Sequence, residues 1–142
     1  MFDITEMAIE LQKETSWQNT PTPVYDEDYI KLVCQAVKKF YVDINHPNEY
    51  DITLFIKGED EHYFYNKDLN IVEEEYIYIL SQIKFKRMIY TDLAGDGAIS
   101  YTTNALSVTG AKEGYKSIQQ EIEDLEKERI RVFHKLMVLY EG

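Results

Sequence analysis

The chain is poor in the residues that pin a fold covalently or bend its backbone: one cysteine, three prolines and six glycines in 142 residues. The lone thiol, Cys34, excludes an intrachain disulfide and fits a reducing compartment best. It stands in the apolar run Ile30-Lys31-Leu32-Val33-Cys34, where a thiol behaves as a small hydrophobe and makes a poor nucleophile. Cations are scarce as well. With 15 Lys and Arg against 26 Asp and Glu, the net charge of −11 opposes any role that grips phosphates, so nucleic acid is not an expected ligand. A surface that lets DNA pass without sticking is compatible with that charge, because like charges repel. No apolar stretch approaches the ~20 residues of a membrane span. The start, Met1-Phe2-Asp3-Ile4-Thr5-Glu6, lacks the basic region and apolar run of a signal peptide, so the expectation is a protein made and folded in the cytoplasm.

Recognisable chemistry is equally thin. His46, His62 and His134 fall in different segments, and no His or Cys pair has the spacing of zinc ligands. Asp92-Leu93-Ala94-Gly95-Asp96-Gly97 reads as a turn, since it lacks the ligand order of a calcium loop, and Gly95-Asp96-Gly97 lacks the Gly-Lys-Ser/Thr ending that cradles phosphate. No Gly-x-Ser-x-Gly elbow is present, and no carboxylate pair stands out. The expectation is a protein without catalytic residues, cofactor or metal.

What the chain has is apolar and aromatic substance: 44% hydrophobic residues, with 12 Tyr and 6 Phe, enough to offset the entropy of ordering. A single domain, 1–142, of mainly α class is expected: a bundle of three to four helices with a small β-hairpin and a long C-terminal heptad helix. The spacing of Ile4, Met7, Ala8 and Leu11 predicts a short amphipathic helix ending near Thr15-Ser16. Pro21 and Pro23 then force an extended connector from Trp17 to Val24. A second helix is predicted over Asp26 to Val42, with Asp26, Glu27 and Asp28 at its positive end and a stripe of Ile30, Val33, Val37, Phe40 and Tyr41. His46-Pro47-Asn48 closes it. Between Asp51 and Asn66 the period shortens to two, and a turn at Gly58-Glu59-Asp60-Glu61 predicts a hairpin. Asn70-Ile71-Val72-Glu73 has the spacing of a capping box for a third helix, running to about Tyr90 with apolar residues on two faces. The N-terminal helices and hairpin thus occupy 1–98. An extended segment, 99–110, follows, with Ile99-Ser100-Tyr101 and Leu106-Ser107-Val108 as its strand-like parts.

The last helix is predicted over 111–142. Tyr115, Ile118, Ile122, Leu125, Arg129, Val132, Leu136 and Leu139 step alternately by three and four, the period that keeps one seam on a neighbouring helix. Arg129 interrupts the seam, so it either sets register or pairs with a carboxylate on another chain. Around Val132, Phe133, Leu136, Leu139 and Tyr140 the helix is apolar on nearly all sides, and something must bury that end. Two burials are open: the domain's own core, or a partner surface.

The stretch Ile99-Ser100-Tyr101-Thr102-Thr103-Asn104-Ala105-Leu106-Ser107-Val108, followed by a charged helix and preceded by two helices, resembles the second half of small neck proteins of tailed bacteriophages, the head–tail connectors or adaptors. The resemblance implies a homo-oligomeric ring between portal and tail proteins, in the virion neck, assembled in the host cytoplasm with an acidic surface along the DNA path. It implies an interface made by Leu106, Val108, Ile118, Ile122, Leu125, Arg129, Val132, Phe133, Leu136, Leu139 and Tyr140, with Leu106 to Val108 pairing along a neighbouring strand. The hairpin departs from the simplest adaptor pattern. The rival expectation is an acidic helical regulator or inhibitor that binds a basic protein; an enzyme comes third.

Overall fold

The period-three stripe at the start of the chain becomes a helix whose Ile4, Met7, Ala8 and Leu11 are all buried. The computed structural model describes residues 1–15, 24–44, 51–95 and 105–141, with side chains described for 1–15, 24–44, 51–91 and 117–141. Along the chain the elements are β1 (Phe2–Asp3), α1 (Ile4–Thr15), α2 (Asp26–Asp43), β2 (Ile52–Lys57), β3 (Asp60–Tyr65), α3 (Ile71–Gly95) and α4 (Ala105–Glu141). The fold is mainly helical with a small antiparallel sheet, as the sequence predicts. The connector around Trp17, Pro21 and Pro23, the His46-Pro47-Asn48 stop and the Ile99-Ser100-Tyr101 segment lie outside the described residues.

Helix ends follow local chemistry. At the start of α3 the Asn70 side chain accepts from the Glu73 N–H at 2.8 Å while the Glu73 carboxylate accepts from the Asn70 N–H at 3.0 Å, the reciprocal bonding of a capping box. The Asp28 carboxylate accepts from the Tyr25 N–H at 2.9 Å at the head of α2, where the helix dipole favours acid.

The core is a stack of helices with α3 in the middle. It packs on α2 along one side and on α4 along another, which is why its buried residues Tyr76, Ile77, Ile79, Leu80, Ile83, Phe85 and Ile89 run round the helix. Tyr29 of α2 stacks on Phe85 of α3 with ring centroids 5.6 Å apart. Leu32 and Ala36 join Val33, Val37, Phe40 and Tyr41 in the buried face of α2, widening the predicted stripe. Each fully buried large aliphatic or aromatic side chain contributes about 1.5–3 kcal/mol.

The hairpin turns on Gly58, whose φ of 68° suits the first central position of a tight two-residue turn between Lys57 and Asp60. A third strand, which the sequence reading does not contain, completes the sheet: β1 pairs with β3 through Phe2↔Tyr65 and Asp3↔Phe64, giving the order β1-β3-β2. Two residues are too few to show a period.

Two boundaries are corrected. Asp92 to Gly95 continue α3 instead of forming a loop. Ala105 to Gly110 belong to α4, so Leu106 and Val108 are helical and not strand-like. Three alternating residues do not specify a strand without a partner, whereas extending an existing helix adds about one hydrogen bond per residue fixed and needs no nucleus. Gly110 costs that helix only about 1 kcal/mol. Pairing of Leu106 to Val108 along a neighbouring strand is thereby overturned, since a helical backbone cannot lie in a ladder.

Candidate functional site

The heptad seam of α4 faces α3. Ile118, Val132 and Leu136 are buried in the chain's own core, and Ile122, Leu125, Phe133 and Met137 pack on it half-buried. The Phe133 ring meets Tyr76 of α3 at 6.0 Å. The seam is therefore occupied within the chain along most of its length, the first of the two burials open in the sequence. Side chains of Leu106, Val108 and Tyr115 lie outside the described set.

Arg129 finds its partners inside the same chain. Its Nε donates to Glu126 at 2.8 Å and its guanidinium donates to the Tyr76 hydroxyl at 3.3 Å, while that hydroxyl donates to Asp43 of α2 at 2.6 Å. Arg87 of α3 donates to the same Glu126 at 2.8 Å. Three helices are thus tied by one polar chain. Burial, helped by Asp43 and opposed by Arg129, pushes the Tyr76 hydroxyl up to about 12.

Beside this chain a cleft of about 300 Å³ is lined by Lys39, Leu80, Ile83, Lys84, Arg87, Glu126 and Arg129. It gathers four cations on an acidic protein. Burial and the neighbouring charges of Lys39 and Arg87 hold the Lys84 ammonium below its usual pKa. The cations come from three helices, so no local motif announces them.

Among the described residues, exposed apolar side chains cluster at the end of α4 and along β2. Where α3 begins and α4 ends, Val72, Val138 and Leu139 line an open groove of about 560 Å³ with Arg131, His134 and Lys135 on its border. Beside it Ile71 is 82% exposed, and Val138 and Leu139 are 68% and 52% exposed. Tyr140, the last of the predicted contacts, is partly exposed and donates to Glu73 at 2.7 Å, which fastens the helix end to the start of α3. The Arg131 guanidinium bonds Glu128 one turn back on α4, so that border cation is partly neutralised.

The second place is β2. Leu54, Phe55 and Ile56 are exposed, and no element among the described residues pairs with the outer edge of the strand. The opposite side of the sheet is finished differently: β1 is followed at once by α1, whose Thr5 hydroxyl accepts the Tyr63 N–H at 2.8 Å. Lys57 is drawn away from the open edge, donating to Asp3 at 3.0 Å and Glu6 at 3.1 Å. Asp3 also meets the His62 ring at 2.9 Å; burial opposes its charge, yet the Glu6 N–H, Lys57 and His62 together hold its carboxyl below the usual range. The alternation of Ile52, Leu54 and Ile56 is plain in the sequence. That one side of it stays bare is not.

Cys34 is half-buried, and burial pushes its thiol up, away from the reactive thiolate. No group of three or more His, Cys, Asp or Glu side chains among the described residues is placed to hold a metal ion, and no helix among them is long and apolar enough to cross a membrane. No family model, no curated protein and no solved structure matches the chain.

Proposed function

We propose that the chain is a non-enzymatic assembly protein, a head–tail connector of adaptor type in the neck of a tailed bacteriophage or phage-like particle. The observation that carries the reading is the apolar groove where α3 begins and α4 ends, uncovered among the described residues, on a mainly helical domain with a buried core of its own. Contiguous exposed apolar surface on a soluble domain marks contact with another protein. In this reading Ile71, Val138 and Leu139 dock on a portal or neighbouring subunit, copies form a ring, and the charge of −11 keeps the DNA path from adhering. Val132 and Leu136 hold α4 on α3 and act only by positioning that end.

The test is electron microscopy and cosedimentation of the purified protein with an isolated portal ring. Docking on one face of the ring is expected, and Val138→Glu with Leu139→Glu should abolish it while leaving the helical circular dichroism and the thermal midpoint intact. A protein that stays monomeric and ignores the portal overturns the neck reading; specific capture of a basic DNA-binding protein instead points to the regulator.

A further inference from the structure

We infer that the free protein dimerises by pairing β2 with β2 of a second copy, antiparallel about a twofold axis, to make one continuous six-stranded sheet.

The strand register determines which backbone groups are available. Lys57 and Asp60 close the hairpin, and Asp51 accepts from the Asn66 N–H at 3.1 Å, so Asp51, Thr53, Phe55 and Lys57 spend their backbone groups on β3. The N–H and C=O groups of the alternate residues, Ile52, Leu54 and Ile56, point outward. Unpaired edge groups are a template for another strand, and proteins normally guard them with proline, a bulge, a short strand or a charge. Among the described residues none of these devices guards β2: it is six residues long, its pairing with β3 is unbroken, it holds no proline, and its one charge, Lys57, is tied back to Asp3 and Glu6.

Self-pairing suits this edge in one register. With Leu54 opposite the second copy's Leu54, Ile52 faces Ile56 and Ile56 faces Ile52, so all three outward residues find outward partners and about six hydrogen bonds form. A shift of two residues leaves at least one outward residue on each strand without such a partner. The same register lays Ile52, Leu54 and Ile56 of both copies along one face as a single apolar strip. Ile56, now 75% exposed, then stands beside the second copy's Ile52, which already packs on the core. At the two ends Asp51 comes opposite Lys57, so the register brings no like charges face to face.

Such a contact is isologous and closes at two copies. It does not build a ring, and it stands independently of the neck reading. It covers the edge in the protein before any larger assembly.

The experiment combines sedimentation equilibrium with site-specific cross-linking. The wild-type chain should sediment as a dimer. Leu54→Pro should be monomeric with its fold kept, because the Leu54 N–H is not used by β3 and proline is tolerated on an edge of that kind; if that variant loses structure, Leu54→Lys serves the same purpose through charge. In a Cys34→Ser background, Leu54→Cys should oxidise to a covalent dimer, since facing Cα atoms about 5.5 Å apart lie within disulfide reach. Phe55→Cys, whose counterpart is two residues out of register, should not. A wild-type monomer at every concentration, a folded Leu54→Pro or Leu54→Lys variant that dimerises as wild type does, or equal cross-linking at positions 54 and 55 overturns the proposal. Portal docking is read separately, so loss of either result leaves the other standing.

Discussion

At Arg129 the heptad seam meets a guanidinium, and the cost of placing that charge among apolar neighbours is offset by Glu126 on its own helix and by the Tyr76 hydroxyl. The interruption is visible in the sequence; the partner is not. Glu126 is three residues away and readable, but Tyr76 and Asp43 are 53 and 86 positions off and arrive only through helix packing. The elevated Tyr76 hydroxyl makes a pH prediction. Its folded pKa of about 12 exceeds the ordinary value of about 10, so its stabilisation is complete below about pH 10 and is lost as pH rises toward about 12. Urea unfolding of wild type and Tyr76→Phe from pH 9 upward should show the stability difference shifting against the wild type by up to about 2 kcal/mol over that window. A constant difference would place the hydroxyl in ordinary solvent.

Among the elements, α4 divides into residues that hold it to the domain and residues that leave it exposed. The period of three and four identifies Val132, Leu136 and Leu139 alike, yet Leu136 is enclosed by α3 while Leu139, almost a full turn further, passes the start of α3 and emerges. Periodicity specifies a face but not how much of its length a partner helix covers. Leu136→Ala should cost about 2–5 kcal/mol in urea unfolding. Leu139→Ala should change stability by less than about 0.5 kcal/mol. Equal losses at the two positions would mean that the end of α4 is as buried as its middle. The reversal at Leu106 to Val108 has the complementary cause: a strand exists only by virtue of its neighbour, and that segment has no ladder in the sheet, whereas β2 has β3 two residues away along the chain.

For the molecule as a whole the charge of −11 is a source of self-repulsion that salt screens. Raising salt from about 0.01 M to 0.15 M shortens the Debye length from about 30 Å to 8 Å, and Tm should rise in differential scanning calorimetry across that range. A falling Tm would show instead that attractive pairs such as Lys57–Asp3 and Arg87–Glu126 outweigh the excess acid. The helices apart from the end of α3 and the start of α4, the hairpin turn at Gly58 and the Asn70 cap were readable, because each depends on side chains or backbone conformations within a few residues of one another. Which way the C-terminal seam turned, which partners Arg129 took and which sheet edge stayed open were settled by packing between segments far apart in the chain. Burial and edge pairing are properties of surfaces that meet in space, and a linear pattern states only that a surface needs covering, not what covers it.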